Sequence, residues 1–289
     1  MSAIHQLLAL LVALIWGTNF VFIRYGLDEL PAFTFATLRF FLVAIPLVFL
    51  FPKPTVPWRL LIGYGLAIGC GQFGLLFWAM QNDISPGLAS LIVQMQVFFT
   101  IFLSTLLFKE VIRFKHYLSL LICFAGLLII IVFTDGQTTL LGILVVLLAG
   151  LSWAVGNIII KHATEVNILA FIAWSSLFSV PPLAAMAYIF EGPTLALNAI
   201  QIASWRAWLV VAWQTIGNTL IGYALWNMLL RHYPAAMVAP WALLVPVFGI
   251  ASSWLLLSEP LPWWKAFACC LIFIGLISNV YSGRTAQKL

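Results

Sequence analysis

Charged side chains are scarce in this sequence: Asp, Glu, Lys and Arg make up 7% of its 289 residues. A domain that folds in water carries about 25%, so this chain could not cover its surface in water. Also missing is any Asp or Glu deep inside an apolar run, since Asp83, Glu110 and Glu259 all stand at run ends. That argues against a proton relay built on a midplane carboxylate and against a pocket for organic cations. There is no phosphate-binding glycine loop, no paired acidic metal motif and no nucleophile elbow. Neither an ATP-driven pump nor an enzyme is expected. His5, His116, His162 and His232 lie far apart, without metal-ligand spacing. Cys70, Cys123, Cys269 and Cys270 sit within apolar runs as small hydrophobes. No metal and no cofactor are expected.

Hydrophobic residues fill 64% of the chain, and lipid is the natural solvent for most of its surface. The net charge of +5 comes from scattered Lys and Arg at run ends, with no basic stripe and no interleaved aromatics. Such charges are topology signals, and nucleic acid is not an expected partner. The first run lacks a basic lead-in and a small-residue cleavage site, so it reads as a membrane span rather than a removed signal.

A spanning helix needs roughly 20 apolar residues. Ten runs qualify, at about 7–23, 33–50, 60–80, 87–108, 117–133, 140–160, 170–190, 208–230, 235–257 and 263–281. Turn residues such as Pro52-Lys53-Pro54 and Glu191-Gly192-Pro193 separate them. The loops are too short for a soluble domain, and only 191–207 could hold a small interfacial segment. With ten spans both termini share one side. That side collects Lys53, Arg59, Lys109, Arg113, Lys115, Lys161, Arg231, Arg284 and Lys288, against Arg24, Arg39, Arg206 and Lys265 on the other. The asymmetry predicts cytoplasmic termini.

The two halves, 1–134 and 135–289, repeat each other. Gly69 and Gly74 match Gly217 and Gly222 at a common offset of 148, as Trp78 matches Trp226. Glu110 and Glu259 each precede a glycine by 16 residues, Gly126 and Gly275. Trp16 with Arg24 parallels Trp153 with Lys161. Five spans per repeat is an odd number, so the second copy must sit upside down relative to the first. The predicted fold is all-α and membrane-integral, with ten transmembrane helices as two inverted five-helix repeats. Secondary transporters are built this way, with a site where the repeats meet. Duplication for packing alone, as in a noncatalytic membrane subunit, is the other reading.

Polar side chains inside a bilayer face a bundle interior or a water-filled cavity. Here they are Trp16 and Asn19 in the first run, Gln72 in the third, and Gln94 and Gln96 in the fourth. Trp153 and Asn157 follow in the sixth, Asn218 and Tyr223 in the eighth, and Trp241 in the ninth. Amides and indoles can hydrogen-bond a zwitterion without an isolated buried charge. They could equally bond helix to helix. Gln94 and Gln96, two positions apart, cannot share one α-helical face. Gly69, Gly217, Pro240 and Pro246 are candidate gating positions, as sites of close approach or kinking. Arg39, near the start of the second run, could attract a substrate carboxylate or pair with an acidic loop residue such as Glu29, but it is expected to snorkel to the interface. Trp58, Trp205, Trp208, Trp263 and Trp264 lie near run ends and read as an interfacial belt.

Residues 10–17 followed by Thr18-Asn19-Phe20, then Leu38-Arg39-Phe40, resemble the EamA branch of the drug/metabolite transporter superfamily. So do Pro86-Gly87-Leu88-Ala89-Ser90, Gln94-Met95-Gln96 and Leu243-Leu244-Val245-Pro246-Val247. Within that branch the chain is most similar to bacterial exporters of O-acetylserine and cysteine. The resemblance implies efflux across the bacterial inner membrane, a small amino-acid metabolite as cargo, lipid as surroundings, and a central cavity. It leaves homo-oligomerisation open. A broader metabolite or drug exporter is the alternative, but small multidrug relatives carry an acidic residue in the first helix and this chain has none there.

Overall fold

The computed structural model describes residues 1–108, 114–133, 138–163, 166–232, 238, 241–242 and 244–284. Glu110 and Pro240 lie outside the described residues. Within them the chain is helical and contains no strand.

The helices are α1 (Ala3–Leu27), α2 (Ala32–Leu50), α3 (Trp58–Asn82), α4 (Pro86–Leu107), α5 (Phe114–Val132), α6 (Leu140–Lys161) and α7 (Ile168–Glu191). A short α8 (Pro193–Ile202) precedes α9 (205–232), then α10 (Leu244–Leu257) and α11 (Trp263–Arg284). Six of them, α1 to α4, α6 and α7, are long and apolar enough to cross a membrane. The pair α8 and α9, bent by 100°, would make a seventh, and shorter apolar stretches occupy Leu121–Val132, Leu244–Leu257 and Trp263–Ser278. The bundle presents apolar side chains outward: Phe49 is 82% exposed and Leu106 66%. Facing lipid, such groups cost nothing.

Helix starts follow local chemistry. Asn167 Oδ1 accepts the amides of Leu169 and Ala170 at the start of α7, and the Ser204 hydroxyl accepts those of Arg206 and Ala207 at α9. These caps satisfy amides that have no partner inside the helix. Gly192, at φ +82°, turns the chain between α7 and α8, a conformation open mainly to glycine. The stretch 191–207, expected to hold a small segment of its own, contains the separate helix α8, at 100° to α9.

Two features repeat between the halves. Nine residues in the middle of α3, Leu66–Gly74, and nine in α9, Trp213–Ile221, wind as π-helix. Such segments are rare and frequent at functional sites. Helix pairing repeats as well. α2 packs on α7 and α5 on α11, each a helix with its counterpart; α1 against α10 is matched by α6 against α4, and α3 against α6 by α9 against α1. Gly126 and Gly275 occupy equivalent points of the α5–α11 crossing. A Cβ on the first would stand 2.7 Å from Ile272 and on the second 2.4 Å from Cys123 Sγ. That closeness is why glycine stands at both places.

One end of the bundle is stitched by polar loop contacts. Arg24 donates to the carbonyl of Gln81 at 3.0 Å, and the Thr34 hydroxyl and amide donate to Glu191 at 2.6 and 3.0 Å. The Ser204 amide and hydroxyl both donate to Glu29, holding that carboxyl below its usual value. Glu259 accepts from Ser85, from the Gly87 amide and from Lys265, which is 1% exposed.

Candidate functional site

The polar residues of the apolar runs converge. A cavity of about 430 Å³ lies at the centre of the bundle. Trp16, Asn19, Gln72, Gln94, Gln96, Trp153, Asn157, Asn218 and Tyr223 line it, drawn from α1, α3, α4, α6 and α9. Phe20, Ile23, Tyr64, Leu76 and Trp226 are among the residues that add apolar and aromatic surface to its walls.

Its polar groups hold one another across helices. Asn157 Nδ2 donates to Gln96 Oε1 at 2.9 Å and to Thr100 Oγ1 at 3.2 Å, tying α6 to α4. Gln214 Nε2 donates to Asn19 Oδ1 at 2.7 Å, tying α9 to α1. Trp16 Nε1 donates to the Asn218 carbonyl at 3.2 Å, and its ring meets Tyr223 and Trp226 at centroid distances of 5.4 Å each. Gln72 is buried with its Oε1 unpartnered. Asn19, Gln96 and Asn157 therefore bond helix to helix and also border the cavity, so the two sequence readings are not exclusive.

Three expectations need correction. Trp241 does not line the cavity; it packs beside the cluster of Ala9, Leu229 and Val238, and its neighbour Ala242 borders the cavity instead. Gln94 and Gln96 both border the cavity because Val93–Met95 winds as a 3₁₀ turn. At three residues per turn, positions two apart stand nearer in angle than on an α-helix. Arg39 does not snorkel: it is 1% exposed, on the inner face of α2. Its guanidinium lies 3.7 Å from the centre of the Phe73 ring and donates through Nη2 to Thr219 Oγ1 at 3.2 Å. Nor does it pair with Glu29, whose carboxylate is taken by Ser204.

Of the gating positions, Gly69 lies where α3 meets α7, and a Cβ there would stand 2.3 Å from Ser179. Gly217 sits in the π segment of α9 under the Trp213 ring, 2.6 Å from an added Cβ. Pro246 lies in α10, two residues after Leu244, the first described residue of that helix.

The sequence profile of the EamA-like transporter family matches this chain twice, at residues 3–132 and again at 140–281. A protein of Escherichia coli (strain K12) named a probable amino-acid metabolite efflux pump is 38% identical over 98% of this chain and 97% of its own. A Salmonella typhimurium protein of the same name is 38% identical over 99% of this chain and 98% of its own. A solved crystal structure, 18% identical, aligns over 99% of both chains with a TM-score of 0.65, which shows a shared fold.

Proposed function

Because the chain belongs to the EamA-like transporter family, we propose that it exports small amino-acid metabolites, such as O-acetylserine and cysteine, by alternating access. The observation that carries this reading is the central cavity, bordered by amides and indoles from matching helices of both halves. Such a lining can hydrogen-bond the groups of an amino acid while its apolar walls accept a short side chain. The repeated helix pairing and the twin π segments support ten spans arranged as inverted repeats, 1–134 and 135–289.

In this reading the protein sits in the bacterial inner membrane with both termini in the cytoplasm. The stitched end of the bundle is then the outer one. The cavity lining includes Ile160 and Ile168, at the ends of α6 and α7 away from the stitched loops. Gly69 and Gly217, within the π segments, and Pro246, in α10 beside the cavity-lining Val245, are the proposed points of flexing.

Overexpression in a bacterial host tests the cargo. Extracellular cysteine and O-acetylserine are expected to rise several-fold over a strain carrying the Asn157→Ala variant at equal membrane abundance. No rise of either, with the protein correctly inserted, removes the substrate assignment. A broader exporter is the second reading, favoured by the cavity's volume of about 430 Å³, which exceeds the needs of cysteine. A toxicity panel on the same strains separates the two.

A further inference from the structure

Beside the central cavity lies a smaller cleft of about 20 Å³ bordered by Arg39, Ser175, Ser176, Ser179 and Thr219. Tyr64, Phe73, Ile172 and Tyr223 border both spaces, so the cleft is a side chamber of the cavity. Its volume exceeds the roughly 10–15 Å³ that a water-sized group needs. Arg39 stands seven residues into α2, roughly 10 Å from the helix start at 1.5 Å per residue.

The cation there is incompletely satisfied. Nη2 donates to Thr219, while Nε and Nη1 have no hydrogen-bond partner. Phe73 offers its ring face, but that contact leaves the donors in the guanidinium plane unused. Among the described residues, no Asp or Glu borders either space. A buried cation without a counter-ion is costly, and intramembrane charges of this kind mark solute pathways. An arginine fork matches a carboxylate edge to edge, and this one has an edge to spare.

We propose that Arg39 is the carboxylate-binding residue of the transport site, receiving the α-carboxylate of an amino-acid solute in the chamber beside Tyr223. This rests on the exporter reading and adds to it a requirement: the solute is an anion or a zwitterion, held by its carboxylate. The rest of the solute extends into the central cavity, where the unpartnered Gln72 Oε1 is suited to accept from its ammonium group. The carboxylate supplies the missing counter-ion only while solute is bound, so binding and charge compensation coincide.

Titration calorimetry on the purified full chain in lipid nanodiscs, with reductant, tests this using L-cysteine and cysteamine, which lacks the carboxylate. L-Cysteine is expected to bind at least about ten-fold more tightly, the equivalent of one good charge-assisted contact. Arg39→Gln abolishes that preference, Arg39→Lys retains part of it, and Thr219→Val weakens L-cysteine binding without affecting cysteamine. Equal wild-type affinities, or a preference that survives Arg39→Gln, overturn the proposal; should Arg39→Gln fail to fold, the wild-type pair and Thr219→Val decide. Should wild-type bind neither, the cargo reading fails separately, and acetate and pyruvate titrations decide the subsite. Carboxylate binding weakened in Arg39→Lys or lost in Arg39→Gln sustains it, and no carboxylate binding overturns it. A response to sodium chloride alone, with no preference for L-cysteine, assigns the chamber to an inorganic anion and also overturns it.

Discussion

Asn157 shows how a single side chain is read in an apolar sequence. An amide within a run of Ile and Val must find a polar partner or a wet surface, and Asn157 finds both, bonding Gln96 and Thr100 at the cavity wall. The same reasoning reached Asn19, Gln72 and Gln94. It failed for Trp241, because an indole is at home on a packed helix face and its single N–H does not tell which way it points. It failed for Arg39 as well. Snorkelling applies where a long side chain can reach the headgroups, and Arg39 instead lies under Phe73. These placements separate two substitutions. Asn157→Ala is expected to lower the transport rate constant about ten-fold, the worth of one lost hydrogen bond of roughly 1.4 kcal/mol. Trp241→Ala is expected to leave KM unchanged and to cost no more than about 3 kcal/mol of stability, since Trp241 is only half-buried. Solute flux in vesicles and thermal unfolding of the same preparations measure both, and a raised KM in Trp241→Ala would contradict its placement.

At the level of helices, hydropathy located the elements and left their irregularities hidden. Each apolar run falls on a helix where the chain is described, since twenty apolar residues in lipid leave the backbone no other way to satisfy its polar groups. The π segments of α3 and α9 could not be read, because a π turn differs from an α turn only in hydrogen-bond register. Nor could the latch between α4 and the α10–α11 loop. Glu259 and Lys265 read as ordinary run-end charges, yet both are buried and bonded to each other, with Ser85 and the Gly87 amide completing the carboxylate's partners. Removing one partner of a buried pair strands the other charge, typically at a cost of about 3–5 kcal/mol. Glu259→Ala is therefore expected to destabilise the protein strongly, and adding Lys265→Met to recover much of the loss. A double-mutant cycle by thermal unfolding measures this, and additive losses would mean the pair does not act as a unit.

For the molecule as a whole, the decisive signal was the repetition of small landmarks, Gly69 with Gly217 and Gly126 with Gly275, across an otherwise monotonous chain. The repetition led to the expectation of a site between the halves, and helices of both halves border the central cavity. It could not foresee which helices would touch, because lipid-facing and core-facing residues are equally apolar and hydrophobicity no longer marks the inside. The exchange-symmetric pairing of α1 with α10 and of α6 with α4 had to come from the structure. A carrier with its site between two halves must move solute alone, without a partner subunit. The direct measurement is flux of labelled L-cysteine and O-acetylserine through purified protein in liposomes, with and without an imposed proton gradient. Saturable flux above empty vesicles, reduced by Asn157→Ala, is the expected result. Flux no greater than that of empty vesicles for every amino-acid metabolite tried, with the protein folded and inserted, would contradict it.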